Sequence, residues 1–162
     1  PPHAPARPLS PAISQATMLN SDLDLAVDLW TARIPWIGQF AEHHWFLVGR
    51  PGSRDRWEVW QKPNQCDTSW QYLHCNLLPP EAGVGNGAGR MIARWNGEEA
   101  ASLAARIESS PDIYPWRNQY RIFPGPNSNT YVQWVLGSLY TIGWRGIGRR
   151  FARHAPMANR VG

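Results

Sequence analysis

From Leu25, apolar and polar positions alternate along the chain. Leu25, Val27, Leu29 and Thr31 fall on one side, with Ala26, Asp28 and Trp30 on the other. Alternation of period two predicts a strand. Pro35 and Gly38 punctuate a turn, and residues 43–48 form an aromatic and branched run of strand type. Residues 49–55 then read as a hairpin loop and 56–61 as the return strand. Residues 70–78 form a further strand candidate. In the loop 79–89, glycine stands at 83, 85, 87 and 89. The next stretch, 90–95, reads as a strand rather than the opening of a helix. The glycines therefore predict a flexible hairpin tip, not a phosphate cradle.

The period changes after Asn96. Asn96 and Glu99 match the asparagine form of an N-terminal capping pattern, and Ala100, Leu103, Ala104 and Ile107 recur at helical spacing. Pro111 and Pro115 are expected to end this helix, ahead of a short extended piece at 119–123. Pro124-Gly125-Pro126 makes a rigid turn, after which Asn127 or Ser128 is placed to cap a second helix. Its apolar stripe is Tyr131, Val132, Val135, Leu136 and Leu139. No internal repeat is visible. Strands followed by two helices predict an α+β domain, an antiparallel sheet with packed helices. The expected organisation is a flexible Pro/Ala-rich arm over 1–20, the domain over 21–142 and an Arg-rich tail over 143–162.

Composition narrows the picture modestly. A chain of 162 residues suits one domain, and 43% hydrophobic residues are enough for a core. The net charge of +4 is carried by arginine, since Lys62 is the single lysine. Arg145, Arg149, Arg150 and Arg153 cluster near the C-terminus with Trp144, Ile147 and Phe151 interleaved. On a helix those three would share one face, giving a solvated basic segment able to make weak contact with an anionic surface. No motif of a nucleic-acid module is present. Cys66 and Cys75 are too few for a disulfide framework, and with His74 their spacing fits no familiar zinc pattern, so neither metal nor cofactor is expected. No apolar run approaches the ~18 residues of a membrane span. The chain begins with Pro1 rather than methionine, which leaves room for an upstream signal or anchor to have been removed. Cytoplasmic and envelope-associated locations both stay open.

The candidate chemistry lies at the second helix start. There, unsatisfied N–H groups and the positive end of the helix dipole stabilise anything negative. Ser128 stands in that place beside Asn127 and Asn129. It serves either as a nucleophile awaiting a base or as part of an ordinary cap. His43 and His44 are adjacent in a strand and so point to opposite faces. His43 shares its face with Trp45 and Leu47. Glu58, on the following strand, is placed either to orient an imidazole or to sit as a surface charge beside Arg56.

Two resemblances join these features. The sequence resembles a bacterial family known as domain of unknown function 3750. The matching stretches are Ala32-Arg33, Phe40-Ala41-Glu42-His43-His44-Trp45 and the run from Tyr120 through Tyr131, Tyr-Arg-x-x-Pro-Gly-Pro-Asn-Ser-Asn-Thr-aromatic. The likeness covers about residues 25–140 and departs at the Arg-rich tail; it implies no activity. More distantly, the chain is similar to permuted papain-like isopeptidases of the PPPDE type. These carry a histidine on an early strand and an Asn-Cys-Asn-Thr-Phe motif opening a later helix. His43 matches that histidine, and Asn127-Ser128-Asn129-Thr130-Tyr131 matches the motif, with serine in place of the nucleophilic cysteine.

The second resemblance implies a permuted papain-like architecture and a site formed by His43 and Ser128. A helix start can pull a thiol down to a thiolate, whereas a serine hydroxyl must give its proton to a base during attack. The expectation is therefore an amide or ester hydrolase: Ser128 attacks, His43 acts as base, Glu58 orients it, and Asn127 and Asn129 frame the helix start. The alternative is an inactive module that holds a peptide or small molecule in the same cleft, with Trp45, Trp116 and Tyr131 as binding residues. A third reading is an envelope-associated structural protein whose tail contacts lipid.

Overall fold

The computed structural model describes residues 24–35, 39–85 and 87–156. The arm expected over 1–20 lies outside them. The alternating segment forms β1 (Ala26–Arg33), and the aromatic run forms β2 (Glu42–Arg50). The return strand β3 (Ser53–Val59) starts earlier than its polarity suggests. Arg50 pairs with Ser53, so Pro51-Gly52 alone makes the turn, with Gly52 at φ +79°. Such a two-residue turn extends the ladder into polar residues that the composition assigned to a loop.

The segment expected as one strand over 70–78 is split into β4 (Ser69–Trp70) and β5 (Leu73–Cys75), because Gln71 between them takes the left-handed conformation. β6 (Arg90–Asn96) returns to pair with β1. All pairings are antiparallel, in the order β4-β5-β3-β2-β1-β6.

One face of this sheet carries the main core. Val27, Leu29, Phe46, Val48, Trp57, Val59, Leu73 and Trp95 meet two helices there. Helix α1 (Gly97–Ile113) buries Ala100, Leu103, Ala104 and Ile107, the residues its periodicity marked. Its N-cap Asn96 makes no side-chain cap bond, and Glu98 and Glu99 meet the positive helix end instead. Pro111 does not end the helix. Its ring leaves the Ile107 carbonyl without an amide donor, and the Ser110 hydroxyl donates to that oxygen at 2.5 Å. Helix α2 (Ser128–Leu136) buries Tyr131, Val132, Trp134, Val135 and Leu136, while Leu139 falls beyond it and is exposed. Residues 119–123 are irregular, bending at 122 and 123, and join no strand.

The opposite face holds a smaller cluster: Ala32, Trp45, Leu47 and Val84, flanked by Trp30 and Trp60. The glycine-bearing loop covers it. Trp45 Nε1 donates to Pro80 O, and Arg56 donates to Pro79 O and Ala82 O. The described part of that loop thus lies over the cluster, with Val84 buried in it, and does not project as the free hairpin tip its composition suggested.

The Arg-rich segment is not one amphipathic helix. Gly143, Gly146 and Gly148 interrupt it, and only Arg149–His154 coils, as a 3-10 helix. Its described part is bonded into the domain: Arg145 O accepts from Glu42 N, and Gly148 O accepts from Thr130 Oγ1. A boundary at 142 therefore cuts through hydrogen-bonded structure.

Candidate binding cleft at His44

Strand alternation separates the two histidines. His43 faces the smaller cluster, stacked on Trp45 at 5.7 Å between centroids and edge-on to Trp60 at 5.2 Å. Its Nε2 donates to Glu58 Oε2 at 2.7 Å. Arg56 completes the group, with Nη2 donating to Glu58 Oε2 at 2.8 Å and its guanidinium 4.1 Å from the Trp45 ring centre. Burial disfavours the ionised Glu58, but the hydrogen bonds and charges of His43 and Arg56 outweigh it and hold the carboxyl below its ordinary value. Glu58 thus meets His43, but on the side of the sheet away from α2.

The start of α2 is built by Asn127. Its Oδ1 accepts from the backbone N–H groups of Asn129 and Thr130, and Thr130 Oγ1 accepts from Asn127 N, a closed capping box. Asn127 Nδ2 ties this turn to Ile122 O and Ile147 O. Replacing Asn127 with alanine is expected to lower stability by about 2 kcal/mol, the upper end for a lost cap because Ile122 O also loses its side-chain donor and Ile147 O loses one of two. Urea unfolding measures it; a loss below about 0.5 kcal/mol would show that the turn holds without its cap.

Asn129 carries the motif across to the sheet. Its Nδ2 donates to Glu42 O and Ile147 O, both at 2.9 Å, which leaves Oδ1 as the acceptor facing His44 Nδ1 at 2.8 Å. His44 Nδ1 must then carry the hydrogen, and Nε2 presents a lone pair. Burial pulls this imidazole down to about 4, against the upward push of the Asn129 hydrogen bond, so the ring is neutral at pH 7.

The pairing of His43 with Ser128 expected from the sequence is not formed, because β2 aims His43 at the far face. Ser128 is buried at the helix start, and its hydroxyl bonds to neither histidine. The residue that reaches the motif is His44, and it does so through Asn129. Of the expected binding residues, Trp45 and Tyr131 are internal and Trp116 is half-buried. Trp45 is fully buried, Trp116 packs edge-on to Phe151, and the Tyr131 hydroxyl lies 3.0 Å from Ser110 Oγ in the core.

His44 forms the floor of a cleft of about 510 Å³, walled by Glu42, Arg90, Tyr140, Trp144 and Arg145 among others. Glu42 Oε1 takes a 3.0 Å ion pair from Arg90, and the Arg145 guanidinium lies 4.5 Å from the Trp144 ring centre. The arginine cluster is therefore divided. Arg149, Arg150 and Arg153 border a separate groove of about 590 Å³ that has no buried titratable side chain in its wall. Glu42 was legible as a wall residue, two positions before His44 on the same strand face. Trp144 and Arg145 were not, because only the chain's return past β2 brings them there.

A family model described as "Protein of unknown function (DUF3750)" matches residues 24–151. The chain belongs to that family. No curated protein and no solved structure matches the chain. The DUF3750 match runs past Ile142 and into the 3-10 helix, so it takes in Arg145 and the Ile147 and Gly148 carbonyls that receive the helix-start motif.

Proposed function

We propose that the chain is a non-catalytic binding module on a permuted papain-like scaffold, holding a small polar ligand in the cleft over His44. The observation that carries this reading is the orientation of the two histidines. His43 faces away from Ser128, and His44 spends its Nδ1 hydrogen on Asn129 rather than receiving a proton from serine. A serine hydroxyl needs a base within hydrogen-bonding reach to become a nucleophile. The papain-like part of the proposal rests on the order of parts: a strand histidine, then an Asn-Ser-Asn helix start packed on the same antiparallel sheet. In this reading the motif is a clamp that fixes His44, and serine suffices where a thiolate would be the reactive group.

Incubation with a fluorophosphonate probe is expected to leave Ser128 unlabelled in the folded chain, read by intact-mass and peptide mass spectrometry. An adduct on Ser128 that disappears in His44→Asn or His43→Ala would overturn the proposal in favour of serine-type hydrolysis.

A further inference from the structure

Among the described residues, the cleft brings two hydrogen-bond acceptors together with no donor between them. His44 Nε2 and Glu42 Oε2 face one another at 4.0 Å, too far apart to bond directly. The His44 tautomer is fixed by the Asn129 amide, whose own orientation is fixed by two backbone carbonyls. Nε2 is therefore an acceptor, on a side chain only 1% exposed. Glu42 gives its other oxygen, Oε1, to Arg90. Both side chains line the cleft, so a ligand N–H group can reach the two acceptors together and bond to each.

The rim has the opposite character. Arg90 and Arg145 stand there against the single carboxylate of Glu42, which leaves the charged wall one positive charge in excess. A ligand carrying only an ammonium group would meet that excess unfavourably. Arg145 has its Nε on Gln39 O, which leaves its terminal nitrogens to donate to an oxyanion. Trp144, 60% exposed beside it, offers an apolar plane.

On the reading of the chain as a binding module, we propose that the cleft takes an α-amino-acid zwitterion. Its ammonium sits between Glu42 Oε2 and His44 Nε2, its carboxylate lies toward Arg145, and its side chain lies against Trp144. The cleft volume suits a ligand of this size with room for a longer side chain.

Calorimetric titration of the whole chain with L-leucine, leucinamide and N-acetylleucine separates the two charges. Leucine is expected to bind saturably, and each derivative at least ten-fold more weakly. Glu42→Gln is expected to weaken leucine at least ten-fold. Because Glu42 also holds Arg90, the surface variant Arg145→Gln provides an independent arm: it should weaken leucine while leaving leucinamide no weaker, since the positive excess on the wall is removed. Absence of leucine binding, or equal binding of all three compounds, overturns the proposal. If Ser128 stays unlabelled by fluorophosphonate in that case, only the ligand class fails and the binding-module reading stands. Labelling of Ser128 would remove that reading whatever leucine does.

Discussion

Replacing Glu58 with alanine is expected to destabilise the protein by about 3–5 kcal/mol, the range for removing one partner of a buried ion pair. Arg56 and Glu58 are both fully buried, and Arg56 Nε lies 2.8 Å from Glu58 Oε1 in addition to the Nη2 bond. Without the carboxylate, a guanidinium stays in the interior against Trp45 with only the Pro79 and Ala82 carbonyls for partners. His43 loses its acceptor at the same time. Urea unfolding followed by tryptophan fluorescence reads the loss. The double variant Arg56→Met with Glu58→Leu should cost less than Glu58→Ala alone, since it leaves no orphaned charge. A single variant milder than the double would mean that solvent already reaches the pair and that the loop 79–85 does not seal it.

That network bears on the cleft although it lies on the other side of the sheet. His43 and His44 are consecutive on β2, so the strand that the Glu58–Arg56 group holds from one face presents His44 to the other. The Asn129 amide then holds β2 from the second face by bonding both Glu42 O and His44 Nδ1. A site residue locked from both sides of its own strand has little freedom of rotamer, which is the condition for specific binding of a small polar ligand.

The period-two and helical patterns made most of this fold legible. Residues 25–31 and 43–48 became β1 and β2, and all four apolar positions of α1 are buried where their spacing put them. The misplaced elements were those set by one residue's backbone or one side-chain bond. Pro51-Gly52 shortened the hairpin, Gln71 broke a strand in two, and Ser110 let a helix continue through Pro111. At the site, alternation correctly parted the two histidines, but the choice of His43 as partner to Ser128 followed motif order instead of facing. Only the pairing of Thr31 with His44 and of Ala32 with His43, together with the packing of α2, settles which ring meets the helix. Arg145 and Trp144 were marked only as part of the basic cluster, with nothing local to place them beside His44. Their place depends on the Arg145 carbonyl accepting from Glu42 N, a contact between segments about a hundred residues apart.

Acidification offers the second large effect, and it reports on His44 directly. The folded-state value of about 4 lies below the ordinary 6.5. Between those limits the unfolded chain binds the proton and the folded chain does not. Stability therefore rises with pH through this window: the His44 contribution is complete above about pH 6.5 and is lost as pH falls toward 4. The separation corresponds to about 3 kcal/mol at 1.36 kcal/mol per unit. Other groups titrate nearby, since His74 is also held low by burial and Glu58 is lost at lower pH. The test is therefore a difference. Asparagine at position 44 places an Nδ2 donor where the histidine Nδ1 hydrogen was, so His44→Asn can keep the bond to Asn129 while removing the titration. Urea unfolding of both proteins at pH 7, 5.5 and 4.5 should show the parent losing stability faster, with the gap between the curves narrowing by about 2–3 kcal/mol over that interval. Parallel curves would mean that His44 titrates near its ordinary value. The imidazole would then be a cation in mildly acidic solution, paired with Glu42 rather than poised with it to receive a ligand's ammonium group.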